Sequence, residues 1–134
     1  MDCTPGVTLN FFIVNQLPLF PPVEYAKKCP WDKRTTLENW IGQRVLKLTC
    51  TANDMKPFAA VAGFDPPVHR WDAEERAELL AELNAAFFVL YGIGREDVEY
   101  ILGTFAGLRS EESELPGVRS TTARILEAYD RLLV

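Results

Sequence analysis

A mainly α fold, with about four helices in one small domain, follows from three observations on this 134-residue chain. Apolar residues recur at helical intervals over most of its length. Helix-capping residues precede several of those runs, and Gly or Pro follows them. A composition of 48% hydrophobic and 25% charged residues supplies one ordinary core without long low-complexity segments. An N-terminal β-strand and a Pro-rich extended connector complete the expectation. The predicted division is an arm over residues 1–34 and a helical domain over residues 35–134.

Residues 7–14 (VTLNFFIV) read as the strand, with Val7, Leu9, Phe11 and Ile13 on one face and Thr8, Asn10, Phe12 and Val14 on the other. Both faces carry bulk, and no second strand is evident to satisfy its backbone groups. Residues 16–22 hold three prolines, which remove backbone donors and disfavour helix, so an extended run is expected. Leu17, Leu19 and Phe20 would anchor it.

The first helix is expected to begin near Thr35, with Glu38 at capping-box spacing, and to bury Leu37, Trp40, Ile41, Val45 and Leu48. Residues 54–70 read as irregular, because Lys56-Pro57, Gly63 and Asp65-Pro66-Pro67 interrupt any long helix. One short turn over residues 58–61 is allowed. The second helix runs from an Asp72 cap, through Leu79, Leu80, Leu83, Phe87 and Leu90, to a Gly92 stop. Glu74, Arg76, Glu78 and Glu82 fall on its predicted outer face. A third helix over residues 95–105 buries Val98, Ile101, Leu102 and Phe105. Residues 109–119 read as a polar loop. The last helix starts at Ser120 or Thr121 and presents Ile125, Leu126, Tyr129, Leu132 and Leu133 to the core.

The net charge of −5 and pI near 4.9 oppose nonspecific DNA binding by the chain alone, since phosphate neutralisation requires clustered Lys and Arg. Three cysteines, Cys3, Cys29 and Cys50, suit a reduced compartment better than a disulfide framework. Neither a signal peptide nor a membrane span is recognisable, so a cytoplasmic protein is expected.

Catalytic patterns are weak throughout. Asp65-Pro66-Pro67 resembles the loop with which amino-group methyltransferases hold a flipped base, but Val68 stands where that loop has an aromatic ring. Gly92-Ile93-Gly94 follows a helix instead of a strand, which is the wrong setting for a phosphate cradle. His69 is the single histidine and cannot complete a zinc site of usual spacing with dispersed cysteines. Asp54-Met55-Lys56 is a lone D-x-K without an evident acidic partner, and no Ser or Cys sits in a nucleophile elbow. No enzyme activity and no cofactor are expected. The residues singled out for phosphate contact are Lys33, Arg34, Arg109, Arg119 and Arg124, beside the connector and around the last loop.

Residues 44–59 (RVLKLTCTANDMKPFA), 70–93 (RWDAEERAELLAELNAAFFVLYGI), 96–105 (EDVEYILGTF) and 123–130 (ARILEAYD) together resemble the extreme C-terminal region of large bacterial adenine-specific DNA methyltransferases of the restriction-modification and phage-defence type. Residues 10–22 (NFFIVNQLPLFPP) resemble the end of the target-recognition region in the same proteins. The resemblance implies a non-catalytic module supporting DNA target recognition, separate from the part that binds S-adenosylmethionine. Its implied partners are a methyltransferase domain or subunit and, through that complex, DNA. The chain departs from the family at residues 118–124, where fewer basic residues remain, and at Ala106, where the family often has proline. The alternative is a protein-interaction module without a nucleic-acid role, such as a homodimer pairing residues 7–14 across a two-fold axis.

Overall fold

The computed structural model describes residues 10–65, 67–108 and 119–134. Among these the architecture is helical: α1 (Phe11–Val14), α2 (Pro22–Tyr25), α3 (Leu37–Thr49), α4 (Lys56–Val61), α5 (Ala73–Leu90), α6 (Arg95–Gly103) and α7 (Thr121–Leu132). A 3₁₀ turn, Asn53–Met55, leads into α4. No strand occurs among the described residues; an isolated bridge joins Lys28 to Thr36.

The expected strand is corrected over its described part. Asn10 Oδ1 accepts the Ile13 N–H at 3.0 Å, and Val14 and Asn15 donate to the carbonyls of Asn10 and Phe11 at 3.0 Å each. A capped turn therefore meets locally the backbone demands that a lone strand would leave open. Residues 7–9 lie outside the described residues. The connector, expected extended from residue 16, begins instead in a turn at Gln16 and a bend at Leu17, runs without regular structure over residues 18–21, and Pro22 then opens α2 at the first helical turn, where its missing N–H costs nothing. The same reasoning places Pro57 in the first turn of α4, so the short turn allowed over residues 58–61 begins two residues earlier while no long helix crosses this stretch.

Caps set the longer helices. Thr36, one residue later than expected, accepts the Asn39 N–H at 3.2 Å and starts α3. Asp72 accepts from Glu75 at 2.8 Å and starts α5, while Ser120 accepts from Ala123 at 3.1 Å and starts α7. Gly92, at φ +67°, takes the left-handed conformation that closes α5, and the chain turns into α6 two residues later.

Two apolar clusters hold these elements. The larger joins Ala81 and Ala85 of α5, Val98 and Leu102 of α6, and Ile125, Ala128 and Tyr129 of α7. Tyr129 Oη donates to the Ile93 carbonyl at 2.7 Å and ties α7 to the α5–α6 turn. The smaller joins Cys29, Leu37, Trp40 and Ala86, with Trp31 edge-on to Trp40 at 5.0 Å. The buried stripe of α5 is thus made of alanines, and Leu80 is 49% exposed. Small residues at 81 and 85 share the larger cluster with Ala128 of α7, whereas of the leucines expected in the core Leu83 and Leu90 pack partly buried on the smaller cluster and Leu80 faces solvent. Phe105 is likewise exposed, because α6 ends at Gly103, and so is Leu133, just past the end of α7.

Arg76 links α5 to α3. Its guanidinium donates to the Leu48 carbonyl at 2.6 Å, satisfying a C-terminal acceptor of α3, and lies 3.8 Å over the Trp71 ring. No helix among the described residues is long and apolar enough to cross a membrane.

Candidate functional site

The charged residues converge on α5. Glu74, Glu78 and Glu82 are spaced by four and form a row along one face of the helix. Arg124 of α7 donates from Nη1 and Nη2 to the two Glu74 carboxylate oxygens at 2.7 and 2.9 Å and also bonds Glu78. Arg119, just before α7, donates to Glu78 at 2.9 Å and pairs with Glu127. Arg131, two turns after Arg124, lies 3.7 Å from Glu82. From the other side Arg44 of α3 donates to Glu82 at 2.7 Å while its guanidinium stacks 3.4 Å over Trp40. Acidic side chains expected to face solvent therefore form a seam with α3 and α7. The missed signal was the shared two-turn separation of Glu74 and Glu82 on α5 and of Arg124 and Arg131 on α7.

This arrangement sets the surroundings of the basic residues. Arg124 is only 7% exposed. Its bonds to Glu74, and then to Glu78, raise its pKa against the opposing effect of burial. The same bond from Arg124 lowers the Glu74 pKa. An arginine so engaged must lose charged partners before it meets a phosphate. Arg34 is exposed, yet its Nε bonds Asp32 at 3.0 Å, raising the arginine pKa and lowering that of Asp32. Lys33 is exposed in the same turn. Arg109 lies outside the described residues. The structure thus brings Arg119 and Arg124 together on the acidic row and leaves Lys33 and Arg34 in a separate turn.

The remaining patterns find structural places. Gly92 stops α5 and Gly94 caps α6. The His69 N–H donates to the Cys50 carbonyl at 2.9 Å, which pins the loop after α4 to the end of α3. Asp54 is exposed in the 3₁₀ turn, and Asp65 and Val68 are exposed on either side of Pro66, which is outside the described residues. No group of three or more His, Cys, Asp or Glu positioned to hold a metal occurs among the described residues.

A second feature is apolar. An open groove of about 550 Å³ lies between α2, α3 and the chain after α4, with Tyr25, Ile41, Val45 and Phe64 among its walls. Gly42 forms part of its floor: a Cβ there would sit 3.0 Å from the Phe64 ring, so glycine permits the ring to pack against α3. Nearby, α4 exposes Phe58 and Val61 one turn apart. Such apolar exposure is the surface chemistry of protein contact more than of nucleic-acid contact. Comparison with family models, curated proteins and solved structures finds no match to this chain.

Proposed function

We propose that the chain is a non-catalytic module that supports target recognition by a bacterial DNA adenine methyltransferase, attached to that enzyme by protein contacts. The methyltransferase link rests on the resemblance of residues 10–22, 44–59, 70–93, 96–105 and 123–130 to the C-terminal region of such enzymes. The observation that carries the mode of action is the acidic row, which holds Arg119 and Arg124 in intramolecular pairs. A module whose interhelical arginines are already paired acts best by positioning a partner's DNA-binding surface. Phe58 and Val61 of α4 are the apolar side chains offered to that partner.

Calorimetry with the methyltransferase encoded nearest to this chain tests the proposal. Binding is expected, and Val61→Asp should weaken it at least about tenfold. Absence of binding at low salt, to the enzyme alone or with its DNA, would sink the reading.

A second reading, self-association without a nucleic-acid role, is favoured by the exposed side chains of Phe11 and Phe12. With Phe11–Val14 helical, such association would use side chains instead of the strand pairing expected for residues 7–14. Light scattering showing a strict monomer at high concentration would remove it.

A further inference from the structure

The open groove between α2, α3 and the chain after α4 carries an unanswered charge. Its walls include Tyr25, Ile41, Val45, Ala62 and Phe64, and Glu38 is the one charged side chain among the described residues that line it. Each glutamate of α5 meets a cation of the same chain: Glu74 pairs with Arg124, Glu75 with Lys47, Glu78 with Arg119 and Glu82 with Arg44. Among the described residues neither the Glu38 carboxylate nor the Tyr25 hydroxyl has such a partner. The dipole of α3 favours an acid in its first turn, where Glu38 stands. It does not cover the apolar wall beside that acid.

Charge and shape together select the occupant. An open-sided groove along a helix suits a peptide segment, whereas a small ligand is usually enclosed over most of its surface. The groove volume of about 550 Å³ exceeds the roughly 150 Å³ cavity that accepts a benzene ring, which leaves room for one aromatic or branched side chain and a neighbouring aliphatic stem. Lys and Arg lay such stems along apolar surface and hold their charge at its edge, where the Glu38 carboxylate and the Tyr25 ring both attract a cation. The chain's own arm lacks that cation. Residues 3–23 contain no charged side chain, although Phe11 and Phe12 are exposed. A second copy brings a net charge of −5, so a basic partner is the better complement.

We propose that the groove docks a peptide segment of a protein partner in which a Lys or Arg adjoins an aromatic or large aliphatic side chain. The cation meets Glu38, and the apolar side chain lies against Ile41, Val45 and Phe64. Phe58 and Val61 are not part of this site, and the proposal does not rest on the methyltransferase reading.

The test selects binders of the full chain from a phage-displayed library of random heptapeptides. One selected peptide is then synthesised twice, with its cation and with Gln in the cation's place, and titrated by fluorescence anisotropy. The expected sequences carry Lys or Arg within two positions of an aromatic or large aliphatic residue. Ala62→Trp, which fills the groove from the exposed residue just past the end of α4, should weaken binding at least about tenfold. The cationic peptide should bind roughly 1.5- to fivefold tighter than its Gln counterpart, the range of an exposed ion pair, and Glu38→Gln should abolish that preference. Both substituted side chains are exposed, and circular dichroism checks that the variants stay folded. No enriched sequence, enrichment without a cation, or a cation preference that survives Glu38→Gln overturns the proposal. So does binding indifferent to Ala62→Trp, which places the peptide elsewhere. Phe12→Asp separates the other occupants: peptide binding at least about tenfold tighter in that variant means that α1 already fills the groove. Light scattering then assigns it to the same chain in a monomer or to a second copy in a dimer, and either result overturns the proposal.

Discussion

Replacing Ala85 by leucine tests the packing from which the rest of the account is built. Ala85 is fully buried in α5 and belongs to the cluster that contains Ala128 and Tyr129 of α7. Three added carbons must push the two helices apart or force strained rotamers, an overpacking cost of about 1–3 kcal/mol. Leu80→Ala is the internal control. A fully buried leucine loses roughly 2–5 kcal/mol on truncation, but Leu80 is about half exposed, so its cost is expected near ~1 kcal/mol. Urea unfolding followed by far-ultraviolet circular dichroism measures both. With an m-value of about 1–3 kcal/mol/M, a loss of ~2 kcal/mol lowers the midpoint by roughly 0.7–2 M. A leucine-based core predicts the opposite order. If Ala85→Leu is neutral and Leu80→Ala costs more than about 2 kcal/mol, the close alanine contact between α5 and α7 is refuted.

Three further outcomes are expected. Val98→Ala, at a fully buried position of α6, should cost about 2–3 kcal/mol in the same assay, the lost transfer of two carbons plus a cavity term. Arg76→Ala should cost about 1–2 kcal/mol by freeing the Leu48 carbonyl and the Trp71 face, and Arg76→Lys should not restore the planar stack, as read by tryptophan emission. Acid should weaken the fold through Glu74. Its pKa is held below the ordinary 4.5 by Arg124, so the unfolded chain binds more protons in that window. The stabilisation is present above about pH 4.5 and is lost as pH falls through the folded value; because Glu74 is exposed, salt should shrink it. A Glu74→Gln variant should show a shallower acid decline, and identical declines would dismiss the pair as a contributor.

Much of the helical layout was legible because caps and stops are local chemistry. Asp72, Gly92 and the Ser120 start of α7 each act within one turn of themselves, so short-range sequence sufficed. The same locality explains the errors. Residues 11–14 fit a period of two as well as a single turn, and the decision fell to Asn10, whose side chain caps the turn. At Leu80 and Phe105 hydrophobicity gave the wrong orientation, because the stripe that faces α7 is set by small size at Ala81, Ala85 and Ala128. The seam could not be read from either helix alone. Glu74, Glu78 and Glu82 look like a solvated face until Arg124 and Arg119, some forty to fifty residues away, are placed against them. Those arginines are held in intramolecular pairs, while Lys33 and Arg34 keep their exposure.

The central claim, support of a DNA methyltransferase without phosphate contacts from this module's own paired arginines, is tested most directly by a salt titration. Anisotropy of a labelled duplex would be measured for the methyltransferase encoded nearest to this chain, with and without the chain, across a range of salt. Each phosphate neutralised steepens the plot of log K against log salt by about 0.9. The account predicts no binding by the chain alone, and tighter binding by the enzyme when the chain is present, with an unchanged slope. A slope steeper by about one or more, abolished by Arg119→Ala or Arg124→Ala, would contradict it and put those arginines on DNA.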